Sequence, residues 1–228
     1  MPTKSNVPLP SMPTPEHISQ HISYFQEDID LLKELKEQIP HSKKWQINWD
    51  EIDLIASTEN WENLPIYKTL KKAKDQPPIY FFSSPELFSY EVYKSFSTGK
   101  NKSTRHRNKS GIGHEEFINI CHIPKYYKET YCLYVGSKRN GLHERFKSHL
   151  GYGHKNTGSI FLRQSLIGIQ NPPKIYFNYC ILEKKYRRVI EHLERMLQDR
   201  NDPLIGQRVY KSIPTLCLFS YEYSNGQI

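Results

Sequence analysis

The sequence predicts an α+β fold, a small antiparallel sheet flanked by helices, with an N-terminal helical appendage before it. Three observations lead there. From Phe117 onward, β-type and helix-type segments follow one another as strand, strand, helix, helix, strand, helix, without the alternation of a parallel α/β protein. Upstream of Gln76, the periodic segments are helical. The charge changes at the same point: residues 1–75 carry 9 Lys and Arg against 12 Asp and Glu, a net of −3, whereas residues 76–228 carry 23 against 12, a net of +11. Two units are therefore expected, 1–75 and 76–228.

Met1 to Pro15 is polar and proline-rich, which suits a flexible tail. Glu16 to Gln38 places Ile18, Ile22, Phe25, Ile29, Leu32 and Leu35 at three- and four-residue steps, the spacing of an amphipathic helix. Thr14 or Pro15 can open it, and Pro40 follows its end. Further helices are expected over Trp49 to Ser57 and Leu64 to Lys74. Pro77-Pro78 punctuates the chain, and Ile79 to Ser83 (IYFFS) has the content of a short buried strand. Residues 84–116 are mixed, polar and basic. Phe117 to Ile123 and Tyr131 to Val135 read as two strands joined by a polar turn around Lys125 to Glu129. Leu142 to Leu150, closed by Gly151, reads as a helix, and so does Ser159 to Leu166. Lys174 to Leu182 reads as a strand, and Tyr186 to Asp199 as a helix that must stop before Pro203.

Composition narrows the function. No apolar run approaches the roughly 18–20 residues of a membrane span, and the N-terminus lacks the basic and apolar regions of a secretory signal. A cytoplasmic location without a membrane partner is expected. Cys121, Cys132, Cys180 and Cys217 form no C-x-x-C pair, so free thiols are expected rather than zinc, although His122, His143, His149 and His154 stand near two of them. A unit at +11 suits a polyanion. Its densest stretch, KNKSTRHRNK, offers Lys100, Lys102, Arg105, Arg107 and Lys109 as nucleic-acid contacts, and is equally compatible with a solvated loop. Of the 16 tyrosines, Tyr126, Tyr127, Tyr152, Tyr176, Tyr179 and Tyr186 lie in the basic part. Most are expected in packing, with base stacking a minor role.

Three separated pieces carry chemistry. Tyr134-Val135-Gly136-Ser137-Lys138 is followed by Leu142, Arg145 and His149, a strand end and then a helix on which Arg145 and His149 lie one turn apart. Gly136 is expected to let the backbone turn tightly at the strand end. The second piece is Pro78-Ile79-Tyr80-Phe81-Phe82. The third is the helix with Glu194 and Leu197, then Pro203 nine residues after the glutamate. At about 100° per residue, Glu194 falls about 40° from Ile190 at the edge of the apolar stripe, and its rival Glu191 about 100° away. A carboxylate at the stripe's edge can be held rigidly, which favours Glu194 over Glu191 as the positioned carboxylate.

Together these pieces, spanning about Pro78 to Gly206 with an insertion at about 85–117, resemble the GIY-YIG nucleases, and among them restriction enzymes that carry insertions. Three departures stand out. Pro78 replaces the usual glycine, the gap from Tyr80 to Tyr134 is long, and Gly206 stands where the family often has asparagine. By proximity Phe117 to Ile123 is a rival first strand, but it has no tyrosine at the needed place. The resemblance implies a DNA endonuclease that hydrolyses phosphodiesters with one Mg²⁺ or Mn²⁺ held by Glu194. Arg145 would stabilise the growing phosphate charge. Tyr80 or Tyr134 would orient or deprotonate water, with a phenol pKa lowered by Lys138 or the metal, and His149 would share that role or hold a phosphate. Double-stranded DNA is the implied partner, and the oligomeric state stays open, a homodimer included. The alternatives are a structure-selective repair nuclease and a catalytically weak nucleic-acid-binding module.

Overall fold

The computed structural model describes residues 14–38, 42–99, 103–107, 113–117, 121–153, 158–166 and 168–206. The expected tail up to residue 13, Lys100, Lys102, Lys109, His154 and Cys217 lie outside the described residues. The architecture is mixed α/β, built on a four-stranded antiparallel sheet and seven helices among the described residues.

The chain runs α1 (Pro15–Gln38), β1 (Lys43–Gln46), α2 (Trp49–Ser57), α3 (Pro65–Lys72), β2 (Pro78–Ser83), α4 (Tyr90–Gly99), β3 (Ser103–Arg107), β4 (Gly113–Phe117), β5 (Cys132–Ser137), α5 (Leu142–Leu150), α6 (Leu162–Leu166), β6 (Tyr176–Ile181) and α7 (Ile190–Asn201). The sheet order is β1-β6-β2-β5, with β3 and β4 forming a separate hairpin. Pro78 opens the central strand β2, a position where the missing N–H removes no ladder bond from the strand interior. Its carbonyl accepts the N–H of Lys138, and that of Pro77 accepts the N–H of Leu182, so both neighbouring strands are tied to the Pro-Pro corner.

Side chains alternate across the sheet. Tyr80, Phe82, Tyr134 and Phe177 pack with α5, where the Phe146 and Phe177 rings lie 4.7 Å apart. The opposite face is closed by α7 and the end of α1 through Leu35, Ile79, Leu182, Val189 and Ile190. The main core also takes in Ile52, Leu64, Tyr67 and Leu70 from residues upstream of 75. Residues 43–46, where only helical pattern was expected, supply the edge strand β1, with Trp45 opposite Phe177. Four residues are too few for periodicity to register, and their pairing partner lies more than a hundred positions away.

Two further corrections concern the middle of the chain. The strand expected over Phe117 to Ile123 ends at Phe117 instead and pairs with β3, not with the sheet. Residues 121–131 run without a strand; Ile123 is buried in the core and Tyr93 donates to the carbonyl of Pro124, so their apolar content serves packing. The segment read as a featureless insertion contains α4, whose Val92, Tyr93 and Phe96 are buried, and the β3–β4 hairpin, in which Arg105 pairs with Glu115 and Arg107 with Gly113.

Leu70, fully enclosed on α3, tests whether residues 43–72 belong to the same cooperative unit. Leu70→Ala should destabilise by about 2–4 kcal/mol and lower the urea midpoint of a single transition followed by both circular dichroism and tryptophan fluorescence. Two separated transitions would show an independent appendage.

Candidate active site

The register of β2 and β5 sets Tyr80 directly opposite Gly136 and Phe82 opposite Tyr134. A Cβ on Gly136 would stand 2.7 Å from Tyr134 Cε1 and 2.8 Å from both Cζ and the hydroxyl of Tyr80. The glycine therefore lets two phenol rings close over the edge strand. The tight turn expected there is corrected: Gly136 lies inside β5 and is not among the residues with positive φ. Gly206 has a related role. Its φ of +84° suits glycine, and a side chain there would collide with the ring of Tyr134.

Helix α5 buries Leu142, Phe146 and Leu150, and the same inward side carries Arg145 and His149 to the rings. His149 is completely enclosed, its ring 5.0 Å from Tyr134 and 5.5 Å from Tyr80. The Ile160 N–H donates to Nδ1 at 3.2 Å, so the neutral ring carries its proton on Nε2 and donates it to the Tyr80 hydroxyl at 2.9 Å. Burial, reinforced by the Arg145 and Lys138 charges, holds the imidazole well below the ordinary histidine range. His149 is thus a neutral donor with both nitrogens in use. It has no surface on which to hold a phosphate, which corrects that expectation.

Arg145 spans both phenols. Its Nε donates to Tyr80 at 3.3 Å, Nη2 to Tyr134 at 3.4 Å and to the Gly158 carbonyl at 3.3 Å, and Nη1 to Ser159 at 3.1 Å. Burial opposes its charge, but the phenol oxygens around it keep its pKa raised. Burial also raises the pKa of Tyr80, against the opposing effect of Arg145, and raises that of Tyr134 well above the usual value. The expected lowering of a tyrosine pKa is not found in this arrangement, because desolvation of two enclosed phenols outweighs the guanidinium. Lys138 is half-buried, and its own pKa is lowered by that burial and by Arg145.

Glu194 arrives from α7, which lies against β5 and β2. The Ser137 hydroxyl donates to its Oε2, and the Gln198 amide donates to Oε1 at 3.1 Å. Gln198 is 2 % exposed, so the carboxylate is clamped from a buried position. Its charge disfavours ionisation of Tyr80, which places it electrostatically in the same cluster. Glu191 is exposed and pairs instead with Arg139 at 3.7 Å. Glu194 and Ser137 offer a hard oxygen donor set suited to Mg²⁺, with the remaining positions left to water and substrate oxygens. Among the described residues there is no group of three or more His, Cys, Asp or Glu placed together as metal ligands.

Beside these groups a cavity of 610 Å³ is lined by Ser137, Lys138, Glu144, Arg145, Lys147, Ser148, Tyr152 and Gly153. Three cations face one carboxylate there, and Glu144 is engaged by the Tyr67 hydroxyl at 2.7 Å. Ser137, Lys147, Ser159 and Gln198 were not singled out from sequence. Gln198 had a legible signal, four residues after Glu194 on one helix; Ser159 and Lys147 had none. Of the listed tyrosines, Tyr179 and Tyr186 are core, Tyr127 and Tyr152 bond to Phe88 and Asp53, and Tyr176 lies under the Lys44 ammonium at 3.8 Å. Tyr126 is 83 % exposed. Arg105 and Arg107 lie on the β3–β4 hairpin, where Arg105 is in register with Glu115 and Arg107 with Gly113.

No family model, curated protein or solved structure matches the chain.

The enclosed His149 has a measurable consequence. Its folded pKa lies below that of the unfolded chain, so the unfolded state takes up the proton first, and stability falls as pH drops below about 6.5. His149→Gln should flatten that slope, by up to about 1.4 kcal/mol per pH unit, in urea titrations between pH 7 and pH 5. An unchanged slope would show that His149 is protonated in the native protein.

Proposed function

We propose that the protein is a metal-dependent endonuclease of the GIY-YIG kind, acting on double-stranded DNA as a restriction-type enzyme. The observation that supports this reading is convergence. Tyr80, Tyr134, Arg145 and His149, from three separate stretches of sequence, form one hydrogen-bonded cluster at the strand end where Ser137 holds Glu194. No packing requirement demands a buried guanidinium between two phenols beside a clamped carboxylate; a phosphodiester gives each group a task.

A backbone phosphate enters the cationic cavity between Lys138 and Lys147. Arg145 then turns N–H groups from long bonds, such as that of 3.3 Å to the Gly158 carbonyl, toward non-bridging oxygens, which are stronger acceptors. Tyr80 accepts from His149 and Arg145 at once, so its hydroxyl is fixed in place with its own proton directed away from both. With a raised pKa, Tyr80 orients the attacking water or donates to a phosphate oxygen; it is a poor base in its resting state. His149 fixes the position of that hydroxyl. Glu194, with Ser137 beside it, would hold one Mg²⁺ or Mn²⁺, which supplies charge neutralisation at the phosphate and at the leaving 3′-oxygen.

The neutral, enclosed phenols also support a second reading, a nucleic-acid-binding module without efficient cleavage. Plasmid cleavage with Mg²⁺ separates the two. Glu194→Ala should abolish cleavage and leave DNA binding in a mobility-shift assay, whereas Glu191→Ala should cleave normally. A wild-type protein that binds but never cuts would establish the module instead. Gln198→Ala should raise the half-saturating Mg²⁺ concentration while cleavage recovers at saturating metal, since the amide only positions the carboxylate. Arg145→Lys should lose at least about tenfold in turnover, because one ammonium cannot reproduce a planar fork held by two phenols. Near-normal turnover in that variant would make Arg145 a packing residue.

A further inference from the structure

Helix α1 carries an apolar seam that the described remainder of the chain does not cover. Ile18 is 50 % exposed, Ile22 and Phe25 each 63 %, and Ile29 37 %. Scattered exposed apolar side chains are ordinary, but four in register on one helix are an interaction surface. They are spaced four, three and four apart, and the next step of three reaches Leu32. That alternation is the 3.5-residue repeat of a two-helix seam, narrower than the stripe of a helix lying on a globular core. Along α1 the apolar face passes from open to packed: Leu31, Leu32 and Leu35 meet the body of the protein, whereas Ile18, Ile22 and Phe25 are half or more exposed, and Tyr24, Glu27 and Asp28 are tied to Arg188.

The charges beside the seam are already balanced within the chain. Arg188 binds Glu27 and Asp28, Lys185 binds Glu34, and Lys33 lies 3.6 Å from Asp30. An otherwise acidic helix can therefore approach a copy of itself. We propose that two copies of this chain pair through residues 15–29 of α1 as an antiparallel two-helix coiled coil about a twofold axis between Ser23 and Tyr24. In that register Ile22 packs on Phe25 of the second copy and Ile18 on its Ile29. At the flanking positions His21 meets Asp28 of the second copy, already neutralised by its own Arg188, and Ser19 meets its Gln26, so no unpaired like charges face each other. The antiparallel direction follows from the anchoring: each α1 is fixed to its body at the C-terminal end, so opposed helices keep the bodies apart and their macrodipoles opposed. The pairing does not depend on the chemistry at Glu194. On the proposed function, it would supply one site for each strand of a duplex.

The test is the mass of the full-length protein in solution at tens of micromolar, by light scattering and sedimentation equilibrium. The wild type should have twice the mass of the monomer and a melting temperature that rises with concentration. Ile22→Asp/Phe25→Asp should halve the mass and remove that concentration dependence while the near-ultraviolet circular dichroism of the folded body is kept, since both side chains are mostly outside the fold. Under mild oxidation, Ile18→Cys mixed with Ile29→Cys should give cross-linked dimers that neither gives alone, because like positions stand about 16 Å apart along the antiparallel helices. A monomeric wild type, which would mean that α1 receives a different partner, overturns the proposal. So does a double variant that remains dimeric, or an Ile18→Cys protein that cross-links to itself.

Discussion

The site depends on one close approach, the crossing of the Tyr80 ring over Gly136 on the neighbouring strand. With no Cβ on the edge strand, the Tyr80 and Tyr134 rings settle with centroids 6.3 Å apart, and their hydroxyls meet at one end of the sheet. Everything polar in the cluster is arranged around that meeting point. Arg145 can bridge the two oxygens only because both are there, and His149 can donate to Tyr80 only because Ile160 occupies its other nitrogen. A side chain at position 136 would push the phenols apart and deprive an enclosed guanidinium of two of its acceptors, leaving it only Ser159 and the Gly158 carbonyl, a costly arrangement.

The two sides of the site are built by different physics. The phenol, imidazole and guanidinium groups sit in a nearly dry interior, where burial raises the tyrosine pKa values and lowers that of His149. Protons there are fixed, and each group has a definite donor or acceptor role. Glu194 stands at the margin, half-buried, held by Ser137 from the strand and by the enclosed Gln198 from its own helix. On the proposed function, neutral phenol and imidazole groups fixed around the Arg145 cation, beside a clamped carboxylate, would be the kind of preorganisation that stabilises charge developing on a phosphate. On the same reading, the cavity bordered by Lys138 and Lys147 would give a phosphate its approach.

The N-terminal third supports this arrangement from outside it. Strand β1 extends the sheet beyond β6, α3 packs on α5, and the Gly141 N–H at the start of α5 is held by the Lys74 carbonyl at 2.7 Å. The helix carrying Arg145 and His149 is thus braced by residues that contribute no chemistry. Helix α1 serves the opposite face, where its C-terminal half is bound through Leu35 and through ion pairs to Arg188 and Lys185.

Local pattern in the sequence determined the long helices α1, α2 and α5, the strands around Tyr80, Tyr134 and Phe177, and the helix bearing Glu194, because three- and four-residue steps or aromatic runs are properties of neighbouring residues. The same locality ranked Glu194 over Glu191 by angle, and it brought Arg145 and His149 to one face. Tertiary structure alone decided the rest. Strand β1 exists through pairing with β6, and β4 pairs with β3 instead of joining the sheet, since short strands carry little pattern of their own and take their partners from across the chain. The purpose of Gly136 and Gly206, the tautomer of His149, the direction of the tyrosine shifts and the Ser137–Glu194–Gln198 clamp likewise arise from atoms far apart in sequence that meet where water is excluded. A pattern can nominate residues for a site. Only packing fixes which of them lose water, and that sets what each can donate, accept or hold.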